Sequence, residues 1–299
     1  MHIAITGASG LIGTTLVPLL TGGGHQVTRL VRRAAGPGEA TWDPAQGIDP
    51  AALETVDAVV HLAGENIAAA RWSAAVKQRI RESRVRGTRV LCEALAKSPG
   101  RVKVLVCASA IGFYGHRGDE ELTEESAAGE GFLAEVVRDW EAATDPARAA
   151  GMRVVNLRFG VILSSQGGAL AKMLLPFKLG AGGRVGTGRQ YWSWISIDDA
   201  AGAIVYSLMT ETLSGPVNAV APRSATNREF TKTLGRVLRR PTFLPMPAFA
   251  ARLALGEMAD DLLLASTRVV PRQLERAGYV FRHPALEAAL RHVLGVESR

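Results

Sequence analysis

Three glycines set three residues apart, Gly7, Gly10 and Gly13 in TGASGLIG, stand between an apolar segment that reads as a strand (residues 2–6) and one that reads as a helix (11–20). With 32 glycines among 299 residues, chance supplies that spacing about 0.4 times per chain, so the placement carries the weight. At a strand-to-helix junction the first glycine permits a tight turn, the second lets the backbone approach an anion, and the third lets helix and strand pack closely. The free N–H groups and positive dipole end of the helix then favour a diphosphate. This turn makes Thr6, Gly7, Ser9, Gly10, Leu11, Ile12 and Gly13 candidate dinucleotide contacts.

The rest of the first half alternates in the same way. Strands are expected at 26–32, 57–63, 102–109 and 153–163, and helices at 73–96 and 130–148. Apolar strands without strict alternation imply burial on both faces. The expected fold is α/β, a doubly wound parallel sheet of the Rossmann type with a smaller C-terminal substrate lobe. Residues 1–165 are assigned to the dinucleotide-binding domain, with parts of 190–220 returning to it, and 166–299 mainly to the lobe. In that second part a glycine-rich loop covers 180–188, a short strand 216–220 and an extended segment 241–247. Helices are expected at 227–238 with Thr226 or Asn227 as cap, at 248–266, and at 284–294 with Pro in its first turn.

Composition narrows the function classes. The net charge is +7, and 29 of the 35 basic residues are arginine. They are scattered among acidic neighbours, and the dense patch at 77–89 has helical spacing with Glu82 inside it, as a solvated helix face would. A small anionic ligand fits this charge and no nucleic-acid partner is called for. No apolar run reaches the roughly 18 residues of a membrane span, so no membrane partner is expected. The opening HIAIT enters the glycine turn with no leader pattern ahead of it, which predicts a cytoplasmic protein. Cys92 and Cys107 lie in apolar segments and read as free buried thiols. No metal is expected.

The end of the second strand selects the nucleotide. An acidic residue there would hold a ribose 2′-hydroxyl, but the strand ends in Arg32 and Arg33, and the next acid is Glu39. Paired guanidinium groups suit a 2′-phosphate, which favours NADP(H) over NAD.

TGASGLIG, HLAG at 61–64 and ASAIGFYG at 108–115 together resemble the extended short-chain dehydrogenase/reductase family. The similarity narrows to its atypical epimerase family protein group, which is like the NAD-dependent epimerase/dehydratases. It extends through TWDP (41–44), HLAGENI (61–67) with RW (71–72), FLAEVVRDWE (132–141), LRFGVIL (157–163), MLLPFKLGAGG (173–183) and GTGRQYWSWISIDD (186–199), and into a C-terminal module at about 247–294. The resemblance implies a Rossmann domain, NADP(H) as cofactor and a small-molecule substrate it does not name. It also implies a homodimer through the helices at 73–96 and 130–148.

One departure from that family bears on mechanism. Its members carry a Tyr with a Lys four residues on, but Tyr114, Tyr191, Tyr206 and Tyr279 are followed at that spacing by Gly118, Ile195, Thr210 and His283. No Lys lies between Lys103 and Lys172. If Glu141 marks the family's downstream glutamate, Leu133 and Val137 hold the two positions, with Arg138 alongside as a fixed cation. Ser109 stands one residue further back than the family's hydroxyl, where Ala110 lies.

Remaining candidates cluster at the carboxyl edge of the expected sheet, where such sheets bind ligands. Tyr114 and Ser109 are the candidate catalytic groups, and His116 on the same loop can titrate near neutrality. Ala63, Gly64 and Glu65 are placed on the cofactor and Asn66 on the substrate. Gln190, Trp192 and Trp194 supply polar and aromatic groups for an organic ligand, one tryptophan in the core and one facing the cleft. Two readings stand: an NADP(H)-dependent oxidoreductase or nucleotide-sugar-epimerase-like enzyme with an altered proton relay, or a non-catalytic NADP(H)-binding sensor or partner-binding protein.

Overall fold

The computed structural model describes residues 1–97 and 101–296. Strand β1 (His2–Thr6) feeds helix α1 (Leu11–Gly22), and β2 (Gln26–Val31), β3 (Glu39–Asp43), β4 (Gly47–Ile48) and β5 (Ala58–His61) follow. Next come α2 (Ala74–Lys97), β6 (Val104–Ala110), β7 (Glu121–Leu122), α3 (Phe132–Ala142), α4 (Asp145–Ala149) and β8 (Arg153–Phe159). The second half holds β9 (Val161–Leu163), α5 (Gly168–Lys178), β10 (Tyr191–Trp192), β11 (Trp194–Ser196), α6 (Ile197–Met209), β12 (Gly215–Ala219), β13 (Ala225–Thr226) and α7 (Asn227–Leu238). It ends with α8 (Ala248–Leu255), β14 (Arg268–Val269), α9 (Arg272–Arg276) and α10 (Leu286–Val293).

Eight strands form one sheet in the order β12-β8-β6-β5-β1-β2-β3-β4. Every pairing in it is parallel except β3 with β4. The order reverses between β1 and β5, which opens a crevice at their carboxyl ends. Burial on two faces explains the weak alternation. Ile3, Ile5, Val104 and Val106 pack on one side with Leu16 and Leu20 of α1 and Ile204 of α6. Ala4, Leu105 and Cys107 pack on the other with Leu91 and Leu95 of α2 and Trp140 of α3. Both cysteines are free and buried. Among the described residues no helix is long and apolar enough to cross a membrane.

Several boundaries differ from the sequence pattern. The helix expected at 130–148 is two, because Pro146 near the start of α4 has no N–H to continue the ladder. The strand expected at 153–163 leaves the main sheet at Gly160, after which Val161 pairs with Trp194 of β11. The helix expected at 248–266 stops at Gly256, whose φ is +65°. A single π-helical turn, Asp260–Leu264, follows. The strand β3, next to the edge strand β4, escaped the pattern, since EATWD carries a charge at each end and only Trp42 is buried. The segment 215–219 returns to the sheet beside β8, with Pro216 tolerated at the edge.

A buried polar chain crosses the second face. The Thr6 hydroxyl lies 2.7 Å from His61 Nδ1, His61 Nε2 lies 3.0 Å from Thr88 Oγ1, and Trp140 Nε1 donates to that same oxygen at 2.9 Å. Burial lowers the His61 pKa from 6.5 to about 4. The unfolded chain therefore takes up a proton near pH 6.5 that the folded chain refuses until about pH 4. The stability tied to the neutral ring is complete above that range and is lost as pH falls through it, by about 3 kcal/mol. Urea unfolding of wild type and His61→Gln at a series of pH values checks this: the wild-type curve should fall more steeply across the window, and parallel curves would contradict it.

Candidate functional site

The crevice between β1 and β5 is built by close backbone approach. Gly7 has φ +67°, and a Cβ there would stand 2.8 Å from the carbonyl carbon of Leu62 in the loop leaving β5. A Cβ on Gly13 would lie 2.6 Å from the backbone of Ala8, so helix and turn touch only because both residues are glycine. Gly10 caps α1 without a side chain. The first-turn amides of Leu11, Ile12 and Gly13 therefore keep open donor positions toward an anion. Ser9 is exposed beside them. Thr6 is fully buried, and its hydroxyl accepts the N–H groups of Leu62 at 3.1 Å and Ala63 at 3.2 Å. It thus supports the turn from beneath and does not line it.

The loop leaving β5 rests on an arginine that the sequence pattern hid. Arg84 Nη2 donates to the Glu65 carbonyl at 2.9 Å, and its guanidinium packs on Trp140. It also lies directly behind Gly64. Burial lowers its pKa to about 10, opposed by Glu65. Most charges of 77–89, Arg79, Arg81, Glu82, Arg86 and Arg89, do lie on an exposed helix face, and Arg84 is the exception: Ile80, Arg84 and Thr88 form one stripe toward the sheet. The signal was their spacing of four, with an apolar residue at one end. Glu65 pairs with Arg79 at 3.2 Å, and its N–H donates to Ser83. Asn66 is exposed, its Oδ1 accepting from Ala68 N–H at 2.9 Å.

At the end of β2 the two arginines part company. Arg33 makes a two-pronged pair with Glu39, both contacts 2.8 Å. This hydrogen bonding, with that from Gly36 N–H, holds the Glu39 carboxyl below its usual range. Arg32 is exposed and has no ion pair among the described residues.

Ser109 and Tyr114 belong to one buried network. Ser109 donates to Glu141 at 2.6 Å, and Glu141 takes two bonds from Arg158 at 2.7 and 2.8 Å. Arg158 Nη1 donates to the Tyr114 hydroxyl at 3.0 Å, which itself donates to Asn218 Oδ1 at 2.7 Å. Arg158 also lies 3.5 Å over the Phe113 ring. Tyr114 has no exposed surface, and burial raises its pKa despite the nearby Arg158. Both hydroxyl protons are committed to acceptors inside the protein.

The aromatic phrase serves the lobe's interior. Trp192 and Trp194 are 7% and 1% exposed and pack with Phe230 and Leu174. The expectation that one tryptophan faces the cleft is therefore corrected. Gln190 is also buried, and its Nε2 donates to the carbonyls of Val185 at 3.1 Å and Leu263 at 3.0 Å. Large aromatic area is better buried than exposed when a lobe this small must make its own core.

Past the carboxyl end of β6 lies a cavity of about 360 Å³. Gly112, His116, Glu130 and Leu133 line one side and Arg252, Asp261 and Leu264 the other. Only His116 and Leu133 were singled out from sequence. The second wall comes from the C-terminal module, where acidic residues in an apolar segment gave no distinguishing pattern. Elsewhere, Asp198, His283 and His292 bring one potential ligand atom each within 4.8 Å of one another. The two rings stack at 4.1 Å and 22°, so their in-plane lone pairs do not converge on one ion, and His292 is bonded to Asp198 at 3.0 Å.

The model of the NAD dependent epimerase/dehydratase family matches residues 3–219. A domain of unknown function (DUF1731) matches 246–293. Epimerase family protein Mb2239 of Mycobacterium bovis is 48% identical over 290 residues, 96% of each chain. Human epimerase family protein SDR39U1 is 39% identical, covering 98% of this chain and all of that one. The crystal structure of human SDR39U1 isoform 2 with NADPH superposes with a TM-score of 0.90 at 37% identity, over 99% of both chains. The nucleoside-diphosphate sugar epimerase of Corynebacterium glutamicum gives 0.83 at 42% identity, over 99% of this chain and 59% of that one. A glycine turn at the sheet's switch point, a parallel sheet in this order and a matched C-terminal segment leave one assignment: the chain belongs to the NAD dependent epimerase/dehydratase family.

Proposed function

We propose that this protein binds NADP(H) in the β1–β5 crevice and uses it to exchange hydride with a small carbonyl or alcohol in the cavity beyond β6. The observation that carries this reading is the uncapped start of α1. The first-turn amides have no side-chain cap, and Gly7 and Gly13 let the turn, the helix and the loop leaving β5 approach at backbone distance around them. The human relative solved with NADPH supports the same choice. Arg32, exposed and unpaired at the end of β2, is the group assigned to the 2′-phosphate. Arg33 is already neutralised by Glu39 and holds the β2–β3 edge. Arg84 fixes the Leu62–Glu65 loop that would flank the cofactor. The nicotinamide would supply two electrons and a hydrogen as hydride.

Ser109 and Tyr114 act in this reading as positioning groups. Their network ties β6, α3, β8 and β12 together at the edge where the substrate would sit. The missing Tyr–Lys pair favours a second reading, a protein that binds the dinucleotide without turnover. NADPH binding with no oxidation by any carbonyl would distinguish it.

Two measurements test these assignments. Arg32→Ala should weaken NADPH about tenfold or more by calorimetry, since a charge-assisted phosphate contact is worth roughly 1.5–3 kcal/mol. NADH affinity should stay within about twofold, and equal losses would reject the cofactor choice. Tyr114→Phe removes the hydroxyl between Arg158 and Asn218 and should cost about 1–3 kcal/mol of stability in denaturant unfolding. Its NADPH affinity should stay within about threefold, and a large loss of affinity at wild-type stability would place Tyr114 on the cofactor instead.

A further inference from the structure

The cavity beyond β6 has an apolar residue on its α3 side, at the position that falls to the family's phenol if Glu141 marks the downstream glutamate. Leu133 lines it from α3, against Gly112. The opposite wall is the single π-helical turn Asp260–Leu264, an irregularity found mostly at functional positions. Two acids open that turn in different electrostatic states. Asp260 is paired with Arg252 at 2.8 Å. Asp261 has no ion pair, and its Oδ2 is buried with no hydrogen-bond partner among the described residues. An anionic oxygen left without a donor costs more than the neutral acid does.

The groups around Asp261 push the same way. Burial and the neighbouring Glu257 raise its pKa, Asp260 adds to that, and Lys77 on α2 opposes it. Lys77 is itself paired with Glu257. Arg252 is committed to Asp260, and Glu130 and His116 face the cavity from the other wall. His116 Nδ1 accepts the Ser266 N–H at 2.9 Å. In the neutral ring the proton therefore sits on Nε2, and that nitrogen remains a donor.

We propose that Asp261 is the proton donor of this site, with His116 Nε2–H as a second donor, so that the C-terminal segment supplies a buried acid opposite the β6–α3 wall. This rests on the NADP(H) reading above. The substrate is a ketone or aldehyde whose oxygen enters between these two groups. The carbonyl carbon gains hydride from the nicotinamide, and its oxygen gains the Asp261 proton as the C–O π bond opens. The products are the alcohol, the oxidised dinucleotide and the Asp261 carboxylate, which takes a proton back from water. In the reverse direction the carboxylate accepts the alcohol proton.

The test uses the full chain with ¹³C-carboxyl aspartate, Asp261→Asn to assign the resonance, and calorimetric titration of NADPH into both proteins. Cyclohexanone, glyceraldehyde and 9,10-phenanthrenequinone serve as carbonyl probes. The expected result has three parts. The Asp261 resonance titrates above the usual carboxylate range, Asp261→Asn binds NADPH within about threefold of wild type, and its probe reduction is at least about 100-fold slower. A resonance that titrates in the ordinary carboxylate range overturns the proposal, whether or not the variant folds. So does NADPH that binds wild type and is oxidised by no probe, or an Asp261→Asn variant that reduces the probes at the wild-type rate. If wild type binds no NADPH, the cofactor reading fails and this proposal with it, a result separate from the other three.

Discussion

Thr6 holds two loops of the sheet at one point. Its buried hydroxyl accepts from Leu62 and Ala63 and meets His61, so the exits of β1 and β5 cannot separate without exposing unpaired donors. The crevice depends on this contact, because the glycine turn and the loop beyond His61 must lie at a backbone distance only glycine permits. His61 extends the restraint through Thr88 to Trp140 of α3. The anion-facing end of α1 is therefore fixed from below by a polar chain that crosses the core.

A second network fixes the adjoining edge. Arg158 is buried and Glu141 nearly so, and beyond their mutual pair Glu141 accepts from Ser109 and Arg158 donates to Tyr114. A buried pair with every lone pair and proton matched is tolerable, while the loss of one partner leaves a charge stranded. This restricts chemistry at the edge, since a hydroxyl that holds such a pair in place is poorly suited to exchange its proton during turnover. Polar residues at a ligand-binding edge can thus be structural even when their types suggest catalysis.

The contrast explains how much was legible in sequence. The Rossmann order followed from apolar runs and a glycine turn, because helix-covered parallel strands demand both. Residue type alone could not separate Tyr114 from a catalytic tyrosine or Trp192 from a cleft wall, since burial depends on tertiary neighbours. Arg84 was readable in principle from the stripe 80, 84, 88, but the surrounding charges masked it. β3 has one buried side chain, Trp42, and gains its order from pairing with β2. Asp261 gave no local signal, because its state is set by burial and by Glu257, which outweigh the opposing Lys77 of α2.

A site completed by the C-terminal segment requires that segment to be held rigidly, and two buried carboxylates do so. Asp199 accepts the Arg282 N–H at 2.7 Å and the His283 N–H at 3.0 Å, along with the hydroxyl groups of Ser196 and Tyr279. Glu124 accepts the N–H groups of Asn218 and Gln273, and Ser193 bonds Thr267 and Val269. The phrase WSWISIDD is thus a set of anchors for residues 267–283, and little of it faces ligand. Anchors of this kind localise a backbone more strictly than apolar packing, because each N–H donates well only over a narrow range of directions. The π turn carrying Asp261 then lines the cavity beyond β6 from a segment anchored on its C-terminal side.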